Sequence, residues 1–198
     1  MADLVSDLIN AVLGLRRGQV RVVEHDRRWS FVYALMALEI STVTGIRADR
    51  IQHVGSTSVE GLVAKPILDI ALGVDDAESV DGVVRHLVEA GFIDRGVGEG
   101  SIGRLMVRES SPDVRIVHVH IVEYGTREWR AYVEFRDGLR NDSLMRDQYA
   151  DVKRTLAQRF PEDRKSYRTA KNAFILKTLQ VLSDGGEQVD PVERSARH

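Results

Sequence analysis

Apolar residues recur at helical spacing at Leu4, Leu8, Val12 and Leu15, which predicts an amphipathic helix over residues 3–15. Arg16-Arg17-Gly18 supplies the basic residues and glycine that suit its end. A short apolar run, Val20 to Val23, precedes a second helix lined by Trp29, Val32, Met36, Ile40 and Val43, with Asp26 as N-cap and Gly45 as stop. From residue 50 the period changes. Residues 50–54 read as a strand running into Gly55, and Pro66 to Val74 as a central strand with apolar residues on both faces. A helix is expected over 77–90, then strands at 104–108 and 114–123 around a Pro112-Asp113 turn. Beyond Gly125 the spacing turns helical again, over 127–140, 143–160 and 163–182.

The predicted architecture is α+β: a mixed β-sheet with flanking helices and a C-terminal helical cap. Residues 1–18 form the N-terminal helix, 19–183 one domain (sheet core about 46–125, cap about 126–183), and 184–198 a flexible tail. The N-terminal helix can pack on the domain or on a second copy, giving a homodimer.

Composition narrows the class. With 198 residues, 43% hydrophobic and 29% charged, the chain suits one globular domain and not a disordered one. No apolar run reaches the ~18 residues that span a bilayer, so no membrane partner is expected. The first residues lack a basic region ahead of their apolar positions, which argues against a secretory signal. Zero cysteines exclude disulfides, thiolate zinc sites and thiol catalysis, and fit a cytoplasmic location. A net charge of −2 gives no general attraction to nucleic acid. The charge is uneven, however: residues 127–171 hold twelve Lys or Arg against eight Asp or Glu, so that segment is +4 and the rest −6. A basic wall facing an anionic ligand and an ordinary solvated helix surface both fit this pattern. The segment has too few aromatic residues for single-strand stacking, which disfavours nucleic acid as a partner.

The chemistry concentrates in His53-Val54-Gly55-Ser56-Thr57-Ser58, followed by Lys65-Pro66-Ile67-Leu68-Asp69. Glycine lets backbone amides approach a phosphate, Ser56, Thr57 and Ser58 add hydroxyl donors, and a helix starting near Ser56 would aim its positive end there. Asp69 on the next strand would hold a divalent cation that bridges the phosphate. Lys65, just ahead of that strand, can reach a phosphate oxygen as a point charge.

The block from His53 to Ile70 resembles the signature of the GrpB family, within the nucleotidyltransferase superfamily of polymerase-beta-like folds. The resemblance continues at Trp29, Arg115 to His120, Glu128-Trp129, Phe135-Arg136-Asp137 with Arg140, and Tyr167 with Lys171, over roughly residues 20–180. It implies a nucleoside triphosphate such as ATP as substrate and a divalent metal, Mg or Mn. The implied reaction passes a nucleotidyl group to a small-molecule acceptor, with adenylation of a carboxylate, as in an ATP-dependent ligase, among the options. Arg136, Arg140 and Lys171 are the candidates for reaching the phosphates from the cap.

One departure matters. The superfamily places two acids on one strand face, two residues apart, and here the second position is Ala71. Two-metal phosphoryl transfer needs several anionic ligands. Three readings follow: a replaced ligand set, a single-metal chemistry, or a catalytically degenerate nucleotide- or metabolite-binding protein. His118 and His120 share a face of the 114–123 strand and are the replacement candidates, a set that suits Mn, Fe, Zn or Ni better than Mg. Either imidazole could instead serve as a general base.

Overall fold

Strict alternation along two neighbouring strands organises the molecule. The computed structural model describes residues 2–97 and 103–186. In chain order the elements are α1 (Ala2–Val12), β1 (Leu15–Arg16), α2 (Arg28–Thr44), β2 (Ile51–Val54), β3 (Leu68–Val74), α3 (Ser79–Glu89), β4 (Ile93–Val97), β5 (Arg104–Ser111), β6 (Val114–Glu123), α4 (Arg127–Asn141), α5 (Ser143–Arg159) and α6 (Arg164–Gly186). The sheet runs β2-β3-β6-β5-β4, with β1 on the start of β6; β3 and β6 are parallel and every other pair is antiparallel. This is the α+β arrangement the sequence predicts, a mixed sheet with flanking helices and a C-terminal helical cap.

One sheet face is apolar. Leu68, Ile70 and Leu72 of β3 and Val117, Val119 and Ile121 of β6 pack there under α1, α2 and α3, around the fully buried Trp29 and Ile40. Ile9, Val12 and Leu13 join this core, and the Trp29 indole donates to the Val12 carbonyl at 3.0 Å. The described part of the N-terminal stripe is therefore packed within its own chain; the side chain of Leu4 lies outside those described. The first helix ends earlier than its periodicity implies. Gly14, at φ 130, turns the chain so that Leu15 enters β1 and pairs with Arg115.

The N-cap of α2 is Arg27, without a side-chain cap, one position after the expected Asp26, whose carboxylate accepts the Arg28 amide at 2.9 Å; Gly45 closes the helix at φ 72 as expected. Strand β4 was not expected from the sequence. Its Gly96 and charged residues look like loop, but Ile93 and Val97 pair with Val107 and Arg104 at the sheet edge.

The other face receives the cap. Phe135 and Leu139 of α4, with Tyr149 and Ala150 of α5, bury Val59, Leu62 and Val63 of the loop between β2 and β3, backed by Phe174, Ile175 and Leu179 of α6. The cap helices start on side-chain caps: Thr126 accepts from the Trp129 amide and Asp142 from the Met145 amide. The expected tail lies, from residue 187 onward, outside the described residues.

Candidate metal and phosphate site

The register of β3 on β6 sets Asp69 opposite His118 and Ala71 opposite His120. Paired residues share a face, so one carboxylate meets two imidazoles above the sheet. Asp69 Oδ1 lies 3.1 Å from His118 Nδ1 and 3.3 Å from His120 Nε2, and one ligand atom from each residue falls within 4.8 Å of the others. Burial alone would raise the Asp69 pKa, but hydrogen bonds from His118 and His120 overcome it and hold the carboxyl well below the usual range. Burial keeps His118 below its ordinary value, hence neutral near pH 7. The His118 Nε2 atom is buried without a hydrogen-bond partner. An ionised carboxylate beside a neutral imidazole with an unused nitrogen is a donor set that fits a divalent cation.

Gly55 completes the floor. Its φ of 67 and ψ of −170 belong to a region almost exclusive to glycine, and a Cβ there would stand 2.7 Å from Asp69 Oδ2. The residues after it make a single 3₁₀ turn, Ser56–Ser58, in place of the expected helix. Its hydroxyls are drawn inward: Thr57 Oγ1 lies 3.0 Å from His53 Nε2, Ser58 Oγ donates to the Gly55 carbonyl at 2.6 Å, and Ser56 shares a hydrogen bond with Tyr149. His53 stacks on Tyr33, and burial pushes its pKa down to about 3.

Two of the expected cap cations have other duties. Arg136 donates to Gln52 Oε1 and the His53 carbonyl and pairs with Asp137, while Arg140 donates twice to the Ser58 carbonyl at 3.1 and 2.8 Å. Both clamp α4 to the strand–turn segment. Lys65 is different. Its ammonium lies 4.1 Å from the Tyr167 ring centroid, and its pKa falls to about 7 through burial and the charges of Lys171 and Arg164, against the pull of Asp69. Lys65 and Lys171 thus approach the same place from the loop and from α6. Sequence reasoning missed Lys153, which is buried on α5, donates to the Val63 carbonyl and lies 4.4 Å from the Tyr149 ring centroid. On α5 it reads as one more surface lysine, and only the packing of Tyr149 reveals it.

The second-acid position is also accounted for. Ala71 is fully buried with Val54, Val122 and Trp129, in an apolar cluster where a carboxylate would go unsolvated.

The GrpB protein family model matches residues 19–181, most of the chain. The chain belongs to the GrpB family. It is 31% identical to the glutamate-rich protein GrpB of Alkalihalophilus pseudofirmus over 179 residues, which cover 86% of this chain and 100% of that protein. A UPF0157 protein of Streptomyces coelicolor is 37% identical over 158 residues, covering 80% of this chain and 81% of the relative. Among solved structures, the crystal structure of conserved protein GrpB from Enterococcus faecalis superposes with a TM-score of 0.74 at 28% identity, covering 85% of this chain and 100% of that one. No described helix is long and apolar enough to cross a membrane.

Proposed function

We propose that this GrpB protein is a metal-dependent nucleotidyltransferase acting on a small-molecule acceptor. One observation carries the reading: Asp69, His118 and His120 converge beside the glycine turn, in reach of the half-buried cations Lys65 and Lys171. Asp69, His118 and His120 would hold the divalent ion, and with two imidazoles Mn suits the set better than Mg. Such an ion neutralises phosphate charge and polarises the phosphoryl group under attack. The triphosphate would lie along residues 55–58, whose own backbone bonds use the Ser58 and Val59 amides and not those of Ser56 and Thr57. Lys65, poised near pH 7, would regain full charge as the polyanion arrives and hold it as a point charge. In the transfer the acceptor oxygen bonds to the α-phosphorus, the bond to the β-phosphate breaks, and pyrophosphate leaves.

The burial of Ala71 supports a second reading, a protein that binds nucleotide or metabolite without transferring anything. The two part on pyrophosphate. Purified protein is incubated with each nucleoside triphosphate, Mg or Mn and a small-metabolite extract, while calorimetry follows nucleotide binding. The first reading expects pyrophosphate release that Asp69→Asn abolishes. Metal-dependent binding with no release at all selects the second. Neither binding nor release removes both.

A further inference from the structure

Strand β6 carries one extra residue near its start, and β5 restores the register with Ser110 before Ser111↔Val114. Its register with β5 steps from Arg108↔Val117 to Glu109↔Arg115, so Ile116 is bulged out of the pairing. Paired residues share a face, and Glu109 shares one with Val107, the partner of His118. The bulge therefore turns Arg115 onto the side of His118 and His120, and sends Ile116 with Val117 into the apolar core. Without it, alternation would have buried a guanidinium among the valines.

Arg115 is 7% exposed, yet its Nε has no hydrogen-bond partner. The nearest described carboxylate, Glu109, stands 3.9 Å away and is already engaged, by Arg95 at 3.2 Å and by the Asp113 amide at 3.0 Å. Arg164 approaches from the cap. It lies one helical turn ahead of Tyr167, the ring that carries Lys65, and among the described residues it makes no ion pair. Arg17 borders the group, its guanidinium 4.0 Å from Asp113. Burial, together with the charges of Arg164, Arg95 and Arg17, lowers the Arg115 pKa to about 10 against the pull of Glu109. Four guanidiniums, Arg115 among them, thus gather beside two carboxylates, Glu109 and Asp113, and Arg115 itself has an unmet donor. A planar guanidinium fork is matched by carboxylate and phosphate oxygens.

We propose that Arg115 and Arg164, with Arg95 and Arg17 at the rim, form an oxyanion subsite beside the Asp69 centre, taking the phosphate or carboxylate group of the acceptor. Its assignment to the acceptor rests on the transferase reading above, but the subsite itself does not. By the rise of a strand, Arg115 stands on the order of 7–10 Å along β6 from His118, room for a small acceptor to bridge the two.

The test is calorimetric titration of the full chain with inorganic phosphate, and separately with acetate, at constant ionic strength without metal or nucleotide. Saturable binding is expected, weakened roughly ten-fold by Arg115→Gln or by Arg164→Gln, the loss of a charged hydrogen bond. Asp69→Asn should leave anion affinity unchanged or raise it, while abolishing Mn binding measured alone. Phosphate binding without acetate binding assigns a phosphorylated acceptor; binding of both assigns a carboxylate as well. Circular dichroism checks that each variant folds, and if Arg115→Gln does not, the half-buried Arg164→Gln carries the test. No saturable binding of either anion, or affinities unaltered by Arg164→Gln, overturns the proposal. Phosphate binding that depends on the arginines in a protein that takes up no Mn would keep the subsite and remove the metal reading.

Discussion

The two faces of strands β3 and β6 follow from one alternation and carry opposite chemistry. Downward, Ile70, Leu72, Val119 and Ile121 lie in the main apolar core. Upward, Asp69, His118, His120 and the bulge-shifted Arg115 place charge and imidazole where water is scarce. The lower face stabilises the molecule; the upper one costs stability, because partly dry charges must be held by partners or shift their titration. The difference teaches where function was added to the fold. The cap helices cover the upper face without neutralising it: Arg136 and Arg140 bind backbone carbonyls, while Lys65 stays depressed in affinity for its proton.

The largest expected effect belongs to the lower face. Trp29 is fully buried and its indole satisfies the Val12 carbonyl, so Trp29→Ala should cost about 3–5 kcal/mol in urea unfolding. On the upper face His118→Gln should cost well under half as much and remove Mn binding instead. Equal losses for the two variants would erase the contrast.

Next comes the border between the faces. Gly55→Ala must adopt a backbone region costing about 1–3 kcal/mol and push the Asp69 carboxylate from a 2.7 Å contact. Stability and Mn affinity should fall together in this variant. A stable protein with intact Mn binding would show that the turn does not position Asp69.

How much of this was legible in the sequence depended on whether the signal was local. The alternation at Val114–Glu123 and the Gly55-to-Asp69 block can be read by eye, and the structure places Asp69 beside both histidines. Leu15 misled because its apolar spacing continues a helix that Gly14 ends. Strand β4 was hidden by Gly96 and by an edge position that needs no apolar run. Arg115 could not be placed at all, since parity of position assigns it to the wrong face unless the bulge is known. The acceptors of Arg136 and Arg140 are backbone carbonyls, which leave no trace in residue identity.

A pH titration sharpens the comparison from below. His53 is buried with a pKa near 3, against an unfolded value of 6.5. Its depressed value means that, between those limits, the unfolded chain holds a proton the folded chain refuses. Stability is therefore complete above pH 6.5 and declines as pH falls toward 3, by about 2 kcal/mol on reaching pH 5. Urea midpoints at pH 7 and 5 measure it, and His53→Gln should flatten the slope. An unchanged slope would place the acid sensitivity elsewhere.

The last expected effect has the opposite sign. Lys65 titrates near 7 in the folded chain and at 10.5 in its ordinary state, chiefly because burial disfavours its charge. Below pH 7 the folded protein must carry that charge in a half-dry position, and between 7 and 10.5 the unfolded chain holds a proton that the folded one has released. The penalty is full below pH 7 and fades as pH rises through this window. Lys65→Met keeps an apolar contact with the Tyr167 ring and discards the charge, so it should stabilise the protein at pH 7. The gap from wild type should narrow as pH rises from 7 toward 10.5, and nucleoside triphosphate affinity should drop in the same variant. A protein made more stable and less able to bind would mark Lys65 as a residue held against the interest of the fold. Destabilisation at pH 7 would instead make it a packing residue of the cap, joined to Tyr167 through the cation–π contact, and would move the upper face's cost from charge to geometry.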